Sequence, residues 1–117
     1  MRAKKVEKRE SIQRELLVTS EQLCSKTGAN ALGLALRRFL PTLDHAFILE
    51  WLPEQAEDIF WVLTSLSTIV KVEIRRGQLD GEEDVSLDTI DVAMFRRKPH
   101  SRQVREKLEI ALELMSD

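Results

Sequence analysis

Residues 45–75 read HAFILEWLPEQAEDIFWVLTSLSTIVKVEIR, and the way this stretch divides decides the fold. From His45 to Leu52 the residues alternate as a strand does, Phe47, Leu49 and Trp51 on one face and Ile48, Glu50 and Leu52 on the other. Pro53 lacks an amide hydrogen and fits the first position of a helix, where that hydrogen has no partner. Glu54, Glu57 and Asp58 follow, acids that suit the positive end of a helix dipole. Ile59, Phe60, Leu63 and Leu66 give such a helix an apolar side. From Thr68 to Arg75, Val70, Val72 and Ile74 alternate with Lys71, Glu73 and Arg75, the pattern of a strand wet on one side. The expectation for the block is therefore strand, helix, strand.

Working outward, residues 1–40 read as an N-terminal helical arm or hairpin, and residues 41–117 as an α+β domain, the whole forming one folding unit. Ile12, Leu16 and Leu23 make a narrow apolar stripe, and Thr19 with Gln22 could form a capping box that splits the segment in two. A second helix is expected from about Ala29 to Leu40, with Leu32, Leu36, Phe39 and Leu40 on one face and Pro41 beyond it. Gly77–Asp88 reads as a loop and Thr89–Arg96 as a third strand, with Ile90, Val92 and Met94 on one face. The last helix starts near Pro99–Ser101 and carries Val104, Leu108, Ala111, Leu112 and Met115 at helical spacing.

From residue 45 on, this order resembles the first five elements of a ferredoxin-like sandwich, strand-helix-strand-strand-helix-strand, without the final strand. The expected fold class is thus α+β: an N-terminal helical segment followed by a three-stranded β-α-β-β-α unit like an incomplete ferredoxin-like sandwich. The resemblance implies helices on one face and an unpaired outer edge on the first strand. Proteins normally pair or cover such an edge. The second face, with Ile48, Leu52, Ala93 and Phe95 among charges, must then be covered by the N-terminal helices or by a second copy.

The chain has 117 residues, 43% hydrophobic and 32% charged, which suits a packed core rather than disorder. No apolar run approaches the ~18 residues of a membrane span. The basic start, Arg2 to Arg9, has no apolar stretch behind it, so it is not read as a secretory signal and a cytoplasmic home is expected. A single cysteine, Cys24, excludes an internal disulfide or a Cys-based zinc site.

The net charge of −2 hides strong segregation. Residues 2–9 carry five bases against one acid, and residues 96–107 carry six against one. Residues 80–91 carry six acids and no base. The C-terminal helix is also charged backwards, bases first and Glu109 and Glu113 last, against its own dipole. A local rule broken in an otherwise consistent sequence points to a site or to a compensating partner. Arg96, Arg97, Lys98, Arg102 and Arg105 are the candidates for an anion or partner contact. Asp80, Glu82, Glu83 and Asp84 form the opposing acidic patch, and Ile48, Leu52 and Phe95 the apolar part of an interface. Solvated surface pairs four apart, Arg102 with Glu106 and Arg105 with Glu109, are the plainer reading of the same charges.

Chemistry-bearing motifs are sparse. Asp44-His45 is a carboxylate beside an imidazole, but neighbours on a strand face opposite ways. His100 suits a helix cap. Cys24 has no Cys-His setting, Asp80–Asp84 does not fit an EF-hand, and no Gly-rich phosphate loop is present. No catalytic residue, metal site or cofactor is expected. The expectation is a non-catalytic protein acting by self-association, most simply as a homodimer, and by docking a protein partner through its opposed patches. Nucleic-acid binding through residues 96–107 and the basic N-terminus is the alternative; a small-molecule site or enzyme using His45 and Glu50 comes last, and no membrane partner is expected.

Overall fold

The computed structural model describes residues 2–24, 31–75 and 85–116, with side chains from Glu7 onward in the first helix. The elements are α1 (Arg2–Cys24), α2 (Ala31–Phe39), β1 (Phe47–Pro53), β2 (Glu57–Leu63), β3 (Thr68–Arg75), β4 (Val85–Asp91), α3 (Val92–Arg97) and α4 (Arg102–Ser116). The fold is α+β, with a four-stranded antiparallel sheet in the order β1-β2-β3-β4.

Two of the expected elements change type. The segment after Pro53 is strand β2, not a helix. Its Ile59-Phe60-Trp61-Val62-Leu63 run is apolar on both sides because the strand is internal and covered on both faces, and helical spacing cannot distinguish that run from a helix face. Glu54 N–H donates to Glu57 C=O at 2.8 Å, closing a tight turn where the first helical turn was expected. Further on, the strand lies at Val85–Asp91, while Val92–Arg97 is helix α3. Val92 and Phe95, three apart, both enter the core from α3, a placement that alternation over 89–96 does not allow. The remaining part of the expected 77–88 loop, residues 77–84, lies outside the described residues.

These changes replace the three-stranded β-α-β-β-α unit by a simple up-and-down meander. No helix crosses between β1 and β2, so β2 rather than a later strand sits beside β1. The ferredoxin-like arrangement is therefore not adopted. The first strand lies at the sheet edge, as expected, and its entry is covered: α1 packs beside β1, and Ser20 Oγ, buried, accepts the Ala46 N–H at 3.0 Å. This satisfies a backbone donor at the strand's entry that would otherwise be orphaned.

Helices cover both faces. On one, Phe47, Leu49, Trp61, Leu63 and Ile69 meet Ile12 and Leu16 of α1, Val92 and Phe95 of α3, and Val104, Leu108 and Ala111 of α4. On the other, Val62, Val70, Val72 and Ile74 meet Leu23 of α1 and Leu32, Ala35 and Leu36 of α2. The N-terminal stripe thus divides between two cores. α1 is continuous through Thr19, whose hydroxyl donates back to Glu15 C=O at 2.7 Å instead of capping a new helix. At Gly33 the two N-terminal helices come so close that an added Cβ would lie 2.9 Å from the Leu23 carbonyl oxygen.

A β-bulge between Ile48 and Glu50 shifts the β1–β2 register by one residue. Phe47 and Leu49 keep the expected face, but Trp51 now pairs with Phe60 and Leu52 with Ile59, which exchanges their sides.

Candidate functional site

α4 begins at Ser101, whose Oγ accepts the Val104 N–H at 3.2 Å while its carbonyl accepts the Arg105 N–H at 3.1 Å. His100 does not cap this helix. Its Nε2–H donates to the Phe95 carbonyl at 2.7 Å, closing the end of α3, and its ring stacks on Phe95 with centroids 3.9 Å apart. Phe95 also meets Trp61 at 5.5 Å and is 0% exposed. It is a core residue, not the interface residue expected from the sequence: α3 turns it inward where a strand would have turned it out. Ile48 is half-buried against the α2 side, and of the expected apolar set Leu52 alone is exposed, at 39%.

The five expected contact bases separate into two groups. Arg96 Nη2 bonds Glu109 Oε1 at 2.8 Å, and Arg102 Nε lies 3.5 Å from Glu106 Oε1. Lys98 holds its ammonium 5.1 Å from the centre of the Trp61 ring. Arg97 and Arg105 are exposed and have no carboxylate partner among the described residues. The reversed charge of α4 finds much of its compensation inside the chain, Arg96 meeting Glu109 and Arg9 of α1 pairing with Glu113. Exposed pairs of this kind contribute about 0–1 kcal/mol each. Asp80, Glu82, Glu83 and Asp84 lie outside the described residues.

Packing of α1 on α4 brings together two basic stretches ninety residues apart in sequence. Lys8 and Arg9 share a groove of about 840 Å³ with Arg102 and Arg105, with Glu106 and Glu109 between them. Residues 2–15 and 96–113 together hold twelve of the eighteen bases but only six of the twenty acids, a net +6 that leaves −8 for the remainder. The acids of that remainder include Glu50, Glu54, Glu57, Asp58, Glu73, Asp88 and Asp91 of the sheet and its first turn. On the sheet, Lys71 bonds Glu73 at 2.9 Å; that hydrogen bond raises the lysine pKa, burial opposes it, and Glu73, Asp88 and Glu57 add to the rise.

Two candidates for chemistry, Cys24 and the Asp44-His45 pair, share one cleft. Cys24 lines a cleft of about 510 Å³ with Ser20, Glu21, Asp44 and His45. Burial pushes the Cys24 thiol pKa up, Asp44 adds to this, and the Ser20 hydrogen bond and the Arg37 charge only partly offset it. A nucleophilic cysteine needs the opposite shift. His45 is exposed and stacks on Phe47 at 6.1 Å. Among the described residues no cluster of three metal-binding side chains occurs, and no helix is long and apolar enough to cross a membrane.

Trp51 was not among the expected contact residues. It is 57% exposed, yet its ring is held parallel to Phe60 (6.1 Å, 5°) and its Nε1–H donates to Asp58 Oδ1 at 3.1 Å. The signal in the sequence is a Trp between the bulge and Pro53, followed by an acid-rich turn; it becomes legible only when residues 47–63 are read as a hairpin.

The chain matches no family model, no curated protein and no solved structure.

Proposed function

We propose that this chain is a non-catalytic protein that works by self-association and macromolecular docking through two oppositely charged surfaces. What supports this reading is the charge division: the helices α1, α3 and α4 together carry net +4 against −6 elsewhere in the chain. Surfaces so arranged attract each other between copies and steer association. Edge-to-edge pairing through β1 is disfavoured, because Ser20 of α1 bonds the Ala46 N–H at its entry and the bulge and Pro53 interrupt its outer side. The test is light scattering or sedimentation of the full chain at rising concentration, at low and high salt. A dimer or larger species that dissociates as salt screens the charges is expected. A strict monomer at high micromolar concentration in low salt overturns the self-association half.

The shared groove of Lys8, Arg9, Arg102 and Arg105 favours a second reading, nucleic-acid binding. Contact with three to four phosphates of duplex DNA gives log affinity against log salt a slope of roughly −3 to −4. No binding at low salt ends that reading.

A further inference from the structure

The hairpin that joins β1 to β2 carries an aromatic platform set in negative charge. Residues 50–58 contain Glu50, Glu54, Glu57 and Asp58, with Arg75 of β3 standing opposite Glu57, so the hairpin stays net negative. Trp51 is the most exposed large apolar side chain of the described residues, at 57%, but it is not loose. The Glu54–Glu57 hydrogen bond sets the phase of the hairpin: alternation makes Leu52/Ile59 the next bonded pair and Trp51/Phe60 a non-bonded one. Non-bonded pairs bring side chains closest, which accounts for the parallel stack of Trp51 on Phe60. The same phase turns the Trp51 N–H and C=O outward, and puts the missing N–H of Pro53 on the outer side, where the β1–β2 ladder loses nothing. Donation of the indole N–H to Asp58 enriches the ring in electron density, and its free face is offered to a cation.

We infer that this platform receives a guanidinium from the basic layer of a second copy, Arg97 or Arg105 stacking on the exposed face of Trp51 with the hairpin carboxylates around it. The inference rests on the self-association reading and names its contact. Three observations select this occupant. Arg97 and Arg105 are exposed bases of the candidate set without a carboxylate of their own among the described residues. Their layer is positive where the hairpin is negative. Strand-to-strand pairing of two β1 edges is disfavoured, since it would set four carboxylates against four, and Pro53 and the bulge leave little ladder to extend. Acidic hairpin and basic layer are different patches, so a two-fold dimer makes the contact twice, each copy giving one arginine and receiving one.

The experiment is sedimentation velocity of the full chain at low salt, comparing wild type with Trp51→Ala, Trp51→Phe and the double variant R97A/R105A, each checked by its thermal melt. Trp51→Ala and R97A/R105A each weaken association by about tenfold or more, and Trp51→Phe, with its weaker ring face, falls between. Mixing the Trp51→Ala chain with the R97A/R105A chain restores association, because one intact platform then meets one intact pair of arginines. Wild-type association with Trp51→Ala unchanged, or a mixture that stays dissociated, overturns the inference and leaves the self-association reading standing. A wild-type chain that remains monomeric overturns both.

Discussion

Replacing Phe95 by alanine separates a core role from an interface role. The side chain is 0% exposed, stacks on His100 at 3.9 Å and meets Trp61 at 5.5 Å, within the cluster that joins α1, α3 and α4 to the sheet. Truncating a buried phenylalanine costs about 3–5 kcal/mol, part lost burial and part cavity. The ring pairs place Phe95→Ala toward the upper end, since each such pair adds about 0.5–1.5 kcal/mol beyond area. Domains of this size hold only about 5–15 kcal/mol in all. With a urea m-value of about 1–3 kcal/mol/M, the midpoint falls by roughly 1.5–5 M. The assay is urea unfolding followed by circular dichroism, with the association state of the folded fraction measured in parallel. The expected result is a large fall in midpoint. An unchanged midpoint together with lost self-association would refute the placement of Phe95 in the core and restore it to an interface.

Three further outcomes follow from the geometry. Gly33→Ala gains up to about 1 kcal/mol of helix propensity but sets a methyl 2.9 Å from the Leu23 carbonyl. Overpacking of about 1–3 kcal/mol against backbone wins, so the thermal midpoint falls; a rise would show that α1 and α2 can separate freely. Ser20→Ala leaves the buried Ala46 N–H without its acceptor and costs about 1–3 kcal/mol, with faster hydrogen exchange at that amide; unchanged exchange would refute the edge cover. The Cys24 thiol, raised first by burial, alkylates with a pH midpoint above that of an unstructured cysteine. Because its folded pKa is the higher, its contribution to stability is whole below the unfolded pKa and is lost as pH rises through the folded one. A midpoint below that of the unfolded chain would reverse this reading.

Much of the chain was legible residue by residue. β3 is found at Thr68–Arg75 as its alternation requires, because one of its faces keeps polar residues. α4 starts after Ser101, and α2 ends before Pro41, because caps and proline act locally. The sequence also shows the two basic stretches and the acid-rich hairpin as compositions. Reading failed where burial is two-sided: Ile59–Leu63 alternates with nothing, so the acids and proline before it looked like the start of a helix. It failed again at Val92–Phe95, where three residues of spacing and two of alternation compete over a short span.

Local chemistry, then, determined which residues are apolar, where chain breaks fall and how charge is distributed, since these depend on each side chain and its nearest neighbours. Tertiary structure alone decided the rest. The meander order, the one-residue bulge that moves Trp51 onto Phe60, the burial of Phe95 and the pairing of Arg96 and Arg9 with acids of α4 all depend on residues distant in sequence. A strand's register and a side chain's face are set by what packs against them, and a single residue of slip reverses both.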